Sequence, residues 1–227
     1  MNPFVTDLKT LYESHADPAA AGPMKAYMRN QFEFLGIKTQ QNRQLLKGFC
    51  AQHGLPSPAD LDPILRDLWH LPQREFQYAA LSLLGKFQQG LPPAFIETME
   101  YLIVTKSWWD TVDSLAGGPV GLHFRRYPDV RDTTLPRWRR SEYLWLRRTC
   151  ILFQLGYKEE TDFELLKEII CENLGSSEFF INKAIGWALR EYTRVDSDGV
   201  CAFVAATPLN PLSAREALKW LKKRGRI

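Results

Sequence analysis

A tryptophan and an aspartate four residues apart, Trp109 and Asp113, stand in the run Val104-Thr105-Lys106-Ser107-Trp108-Trp109-Asp110-Thr111-Val112-Asp113-Ser114. Side chains four apart on a helix lie on one face, so a helix here sets an aromatic plane beside a carboxylate. Tryptophan faces attract positive charge through their quadrupole, and a carboxylate attracts it directly. The pair suits stabilising a cation; a core tryptophan beside a solvated aspartate is the plainer alternative. Ser107 is expected to cap the helix through its hydroxyl oxygen. Gly117-Gly118-Pro119 is expected to end it, since glycine tolerates the left-handed closing conformation and proline cannot extend the ladder.

The elements that must position this pair follow from the whole chain of 227 residues, 45% of them hydrophobic. That length supports a sizeable core, and one domain spanning residues 1–227 is expected. The net charge of +3 is too mild to imply nucleic-acid binding unless the cations cluster. Cys50, Cys150, Cys171 and Cys201 form no CxxC pair and sit among apolar neighbours, so they read as buried free thiols rather than as a metal site. The four histidines show no ligand spacing, and neither a metal nor a cofactor is expected. With no N-terminal apolar region and no long apolar span, a soluble cytoplasmic protein is expected.

Helical periodicity runs through nearly every segment. Phe4–His15 opens the chain. A loop begins at Asp17-Pro18, and Pro23–Leu35 follows as a helix carrying Tyr27. Thr39 is expected to cap a helix running to His53. Pairs then succeed one another: 57–69 with 74–88, 92–104 with the Ser107 helix, 128–139 with 141–155, 161–173 with 176–193, and 197–206 with 212–224. The stretches 76–87, 146–157 and 181–192 superpose at offsets of 70 and 35 residues. A 35-residue period in an all-α chain predicts an α-α superhelix, a solenoid of HEAT-like helical repeats whose inner helices line a concave face.

One column of that repeat holds Arg43, Tyr78, Asp113, Arg148 and Lys183, while Leu45, Ala80, Leu115, Cys150 and Ile185 run two positions later. The first column is polar and the second apolar, so the first is expected to face the groove and the second the core. Lys47, Trp109 and Trp187 lie one turn away from column members. The result is a basic track bearing two tryptophans and one carboxylate. Cations spaced along a curved surface suit a phosphate backbone, and Arg137 to Arg140 and Lys219 to Arg226 add basic density. A carboxylate opposes phosphate binding, so Asp113 needs another role. An N3- or N7-alkylated purine carries a positive charge, and its loss passes through an oxocarbenium-like sugar that a carboxylate stabilises. Such a base leaves without a general acid, so no histidine or cysteine constellation is required.

These residues resemble the bacterial AlkD family of alkylpurine DNA glycosylases. The resemblance is carried by Leu102–Asp113, Trp145–Leu155 and Phe179–Tyr192, with Tyr27–Ile37 and Leu212–Ala217 extending it over nearly the whole chain; the Lys-Ser-Trp-Trp-Asp-x-Val-Asp run, residues 106–113, is its most specific part. It implies Asp113 as the catalytic carboxylate, Trp109 and Trp187 as lesion-facing rings, and Arg148 as a phosphate contact. It also implies excision with the base left in the stack, where glycosylases normally extrude it. The expected DNA-binding set is Arg148, Arg43, Lys47, Lys183, Tyr27, Thr39 and Arg190. The expected partner is double-stranded DNA containing alkylated purines, bound by a monomer, with no membrane association and no obligate protein partner. A non-catalytic repeat scaffold for DNA or protein is the alternative, because fold does not determine function.

Overall fold

The computed structural model describes residues 1–226. The chain is all-helical. Among the described residues the only β feature is an isolated bridge between Glu33 and Gln73. Two compact units divide it, Met1–Lys106 and Ser107–Ile227.

The first unit holds α1 (Pro3–Glu13), α2 (Pro18–Tyr27), α3 (Thr39–His53), α4 (Leu61–His70), α5 (Arg74–Phe87) and α6 (Ile96–Val104). Asn2 caps α1 by accepting from the Phe4 amide, and Pro3 takes the first helical position, where its missing N–H costs nothing. Val5, Leu8 and Tyr12 then form one buried stripe. α2 starts earlier than the sequence predicts. Asp17 accepts from the Ala19 and Ala20 amides, so Pro18 opens a helix instead of a loop. The expected Pro23–Leu35 helix forms only as far as Tyr27. The chain leaves α2 after Tyr27, and Arg29 and Asn30 adopt positive φ. The amides of Leu35, Gly36 and Ile37 instead donate to the fully buried Glu75 carboxylate at 2.9–3.1 Å. Three amides on one buried carboxylate outcompete another helical turn. Thr39 is not a cap either. Lys38 holds that position without a side-chain bond, and Thr39 is the first helical residue.

The second unit holds α7 (Trp109–Leu115), α8 (Gly121–Arg126), α9 (Pro128–Arg139), α10 (Leu144–Leu152), α11 (Phe163–Glu172), α12 (Phe179–Tyr192), α13 (Ser197–Ala206) and α14 (Pro211–Lys223). α10 packs against α7, α9, α11 and α12, and α14 lies along α12. The expected stop at Gly117-Gly118-Pro119 is a kink. A wide turn over Ala116–Val120 carries the chain into α8, and Gly118 distorts to φ −108°, ψ −105° without entering the left-handed region. α8 went unread because Gly-Gly-Pro resembles a terminus. Gly121 is needed there: a Cβ would lie 2.3 Å from the Phe153 carbonyl oxygen.

The 35-residue period reappears as contacts one repeat apart within each unit. Trp69 donates to the Thr105 carbonyl at 2.8 Å, Tyr157 donates to the Gly121 carbonyl at 2.5 Å, and Arg148 reaches Asp113. Lys106 of the most specific run is structural: its ammonium donates to the carbonyls of His70 and Leu71 at the end of α4. The apolar column is buried at Ala80, Leu115, Cys150 and Ile185, as expected, and only partly at Leu45. The thiols are not uniformly buried; Cys171 is exposed, Cys50 and Cys201 partly so. On α11 the buried stripe is Leu166, Ile169 and Ile170, which turns Cys171 outward.

Candidate functional site

α7 is short, and an aromatic anchor positions it. Trp108 stands before the first turn in extended backbone (φ −157°, ψ 163°). Its ring packs at 5.1 Å from Phe180, edge to face, and at 5.8 Å from Trp145. Ser107 precedes the cap position, which Trp108 holds without a side-chain bond; the Ser107 hydroxyl pairs with the Tyr143 hydroxyl at 2.8 Å. Asp110, in the first turn, complements the helix dipole. Trp109 and Asp113 follow as the sequence spacing requires, both partly buried.

Asp113 and Arg148 depart from expectation. Both were expected to face the groove, Asp113 alone among cations and Arg148 as a phosphate contact. They form a bidentate ion pair: the Arg148 Nε donates to one carboxylate oxygen at 2.7 Å and Nη2 to the other at 2.8 Å. Nη1 donates to the Phe180 carbonyl oxygen. The Arg148 side chain is 5% exposed and that of Asp113 14%. Two members of the column, one repeat apart, therefore satisfy each other instead of facing solvent. Arg148 presents little free charge to a phosphate and instead aims the carboxylate. Burial pushes the Asp113 carboxyl above its ordinary value of 3.8; the hydrogen bonds and charge of Arg148 pull the other way, and Asp110 adds a smaller push upward. Desolvation of the anion is the larger effect.

Asp113, Arg148, Trp109 and Trp187 line a cavity of about 270 Å³ together with Phe179, Phe180, Lys183, Arg190 and Glu216. Six of the ten predicted residues thus meet at one place: Trp109, Asp113, Arg148, Lys183, Trp187 and Arg190. α12 supplies three of them on one face, since Lys183, Trp187 and Arg190 stand at i, i+4 and i+7. The other four belong to the first unit and are exposed. Tyr27, 71% exposed, ends α2, while Thr39, Arg43 and Lys47 recur every four residues along α3.

Three lining residues escaped the sequence analysis. Phe179, 53% exposed, stands edge to face with Phe180 at 5.3 Å. Their place one turn before Lys183 was a usable signal. Glu216 was not legible, because it falls outside the 35-residue column. Its carboxylate meets Arg190 at 2.7 Å and Lys183 at 3.3 Å. Desolvation pushes the Glu216 carboxyl up, but Lys183, Lys219 and Arg190 outweigh it and hold it below the usual value. Among the described residues, no group of three or more His, Cys, Asp or Glu is placed to hold a metal ion.

The site thus joins a carboxylate locked on an arginine to aromatic walls and further cations, on an all-helical frame. The family model of the DNA alkylation repair enzymes matches residues 8–221. This chain belongs to that family. A solved structure, described as a predicted DNA alkylation repair enzyme from Enterococcus faecalis, is 30% identical and aligns with a TM-score of 0.85, covering 92% of this chain and 97% of its own. Among curated proteins, none matches. Membership places this repair enzyme's work in DNA alkylation damage. Among the described residues, no helix is long and apolar enough to cross a membrane.

Proposed function

We propose that the protein is a monofunctional DNA glycosylase that excises cationic N3- and N7-alkylated purines from duplex DNA by hydrolysing the glycosidic bond. The observation that carries this is the carboxylate of Asp113, oriented by Arg148 in a cavity that also holds the rings of Trp109 and Trp187. When the glycosidic C–N bond breaks, both electrons leave with the base and neutralise it. The positive charge passes to the sugar, and water then adds at C1′ with loss of a proton, leaving an abasic site. A fixed carboxylate favours the cationic sugar over the ground state because its charge is already in place, with no reorganisation at the moment of reaction. The tryptophan faces stabilise the cationic base and sugar through their quadrupoles.

The resemblance to AlkD adds that the base stays stacked during cleavage, with the protein cradling sugar and backbone. Arg43, Lys47, Thr39 and Tyr27 are proposed to engage the duplex backbone, an assignment their exposure supports. Lys183 is engaged by Glu216, and no lysine is proposed as a nucleophile, which would have to be a neutral amine. The protein acts as a monomer without cofactor in this proposal.

The test is to incubate the protein with methylated duplex DNA and separate the released bases chromatographically. Release of 3-methyladenine or 7-methylguanine by the parent, and its loss in Asp113→Asn, is expected. A parent protein that binds the duplex tightly and releases no base would leave a DNA-binding role in its place.

A further inference from the structure

Glu216 is the second carboxylate of the cavity, and the packing that puts it there is specific. α14 lies so close to α12 at Gly186 that a Cβ on that glycine would fall 2.6 Å from the Glu216 Cβ and 2.9 Å from the Ser213 carbonyl oxygen. Ser213 fixes the register by donating to the Asn182 carbonyl at 2.9 Å. The Glu216 side chain is 12% exposed, and its two oxygens are divided between two cations: Oε2 to Arg190, Oε1 to Lys183. Those cations stand one turn either side of Trp187. Lys219, on α14 itself, is 3.9 Å away and 67% exposed.

We propose that Glu216 is a positioning residue that holds Lys183 and Arg190 beside Trp187 and withholds their charge from DNA phosphate, so that the cavity prefers a cationic base to undamaged duplex. This rests on the glycosylase function for the nature of the preferred base. The charges lining the cavity are those of Arg148, Lys183 and Arg190 against Asp113 and Glu216. Three cations against two carboxylates leave +1; without Glu216 the excess is +2. A phosphate gains from that second charge, and an alkylated purine bearing a positive charge is opposed by it. Glu216 occupies the place at Lys183 and Arg190 that a backbone phosphate would otherwise take. It therefore lowers non-specific affinity without touching the reacting atoms.

The experiment compares the parent with Glu216→Gln, Lys183→Met and the double variant. Binding is measured over a range of salt concentrations, first to an unmodified duplex. It is then measured to one carrying a single N7-methyl-2′-fluorodeoxyguanosine, whose fluorine slows glycosidic cleavage. Each cation freed to meet a phosphate steepens the salt slope by about 0.9 and strengthens binding roughly eightfold at 0.1 M salt. Glu216→Gln is therefore expected to bind unmodified duplex about eight- to sixtyfold more tightly at 0.1 M salt, with a slope steeper by roughly one to two units. Its preference for the lesion duplex should fall. The gain should shrink by about half when Lys183 is already Met, which damage to packing would not produce. An unchanged slope in a folded Glu216→Gln protein would overturn the proposal. If Glu216→Gln does not fold, Lys183→Met alone decides: a slope loss well under one unit supports occupancy by Glu216, and a loss of a full unit overturns it. The unmodified-duplex measurements need no excision, so failure of base release would refute the glycosylase function and leave this test standing.

Discussion

Replacing Asp113 separates what the carboxylate does for chemistry from what it does for the fold. Its pKa is raised above 3.8 because desolvation outweighs its pairing with Arg148, so the folded protein prefers the neutral form more than the unfolded chain does. By linkage, that preference stabilises the protein fully below the unfolded pKa and is lost as pH rises through the folded one. At neutral pH the ionised carboxylate is thus held at a cost. Asp113→Asn approximates the neutral form and keeps an oxygen to accept from Arg148. It escapes that cost but sets an amide N–H against one of the two Arg148 donors and leaves the guanidinium without a counter-charge, so it is expected to melt below the parent near pH 7 and above Asp113→Ala. Asp113→Ala removes both acceptors of the 2.7 and 2.8 Å bonds and strands a guanidinium that is 5% exposed. Removing one partner of such a buried pair costs about 3 kcal/mol, or roughly 6–12 °C in Tm for a chain of this size. Adding Arg148→Met should restore much of that loss, since no unpaired charge is then buried. Excision should follow another order: Asn, Ala and the double variant should all fall by about a hundredfold or more in single-turnover rate. The assays are thermal melting by circular dichroism and base release from duplex containing 7-methylguanine. An Asn variant melting no higher than the Ala variant would show that the one retained oxygen does not hold the guanidinium. An Asn variant excising at the parent rate would remove Asp113 from the mechanism.

Arg43→Ala, at an exposed position on α3, should flatten the salt dependence of duplex binding by about one unit. Arg148→Ala should barely change that slope, because its charge is committed to Asp113; equal slopes for the two variants would contradict this division. Trp109→Ala and Trp187→Ala should slow single-turnover excision more than they weaken binding to unmodified DNA. Equal losses of affinity for lesion and unmodified duplex, at unchanged rate, would make the rings packing residues. Excision by the parent should decline at acid pH with a midpoint above 3.8, the direction in which burial moves Asp113; a pH–rate profile flat through that range would exclude its anion as the active form. Gly186→Ala should cost about 1–3 kcal/mol by forcing α14 off α12, read as a lowered melting temperature, and should steepen the salt slope by loosening Glu216. A parent-like Tm would show that the contact yields freely.

Much of this protein is determined locally and is therefore legible in its sequence. The i, i+4 spacing of Trp109 and Asp113 depends only on helix geometry, and the 35-residue period depends on each helix pair burying the same face. Both survive into the structure, with the apolar column inside. Local reading failed where two signals coincide. Gly117-Gly118-Pro119 has the composition of a terminus, yet the backbone kinks through it into α8. Glu75 draws the amides of Leu35 to Ile37 out of the helix that their neighbours favour, and no local propensity reports a carboxylate 40 residues away. Charged side chains show the limit most clearly. A column of Asp113, Arg148 and Lys183 identifies which residues share a face, but whether each charge meets solvent depends on what stands one repeat away. Asp113 and Arg148 close on each other over 35 residues. Lys183 and Arg190 are claimed by Glu216, which enters only because Gly186 admits α14. Electrostatic free energy belongs to pairs and their burial, so tertiary packing alone decided which of the predicted cations are left for DNA.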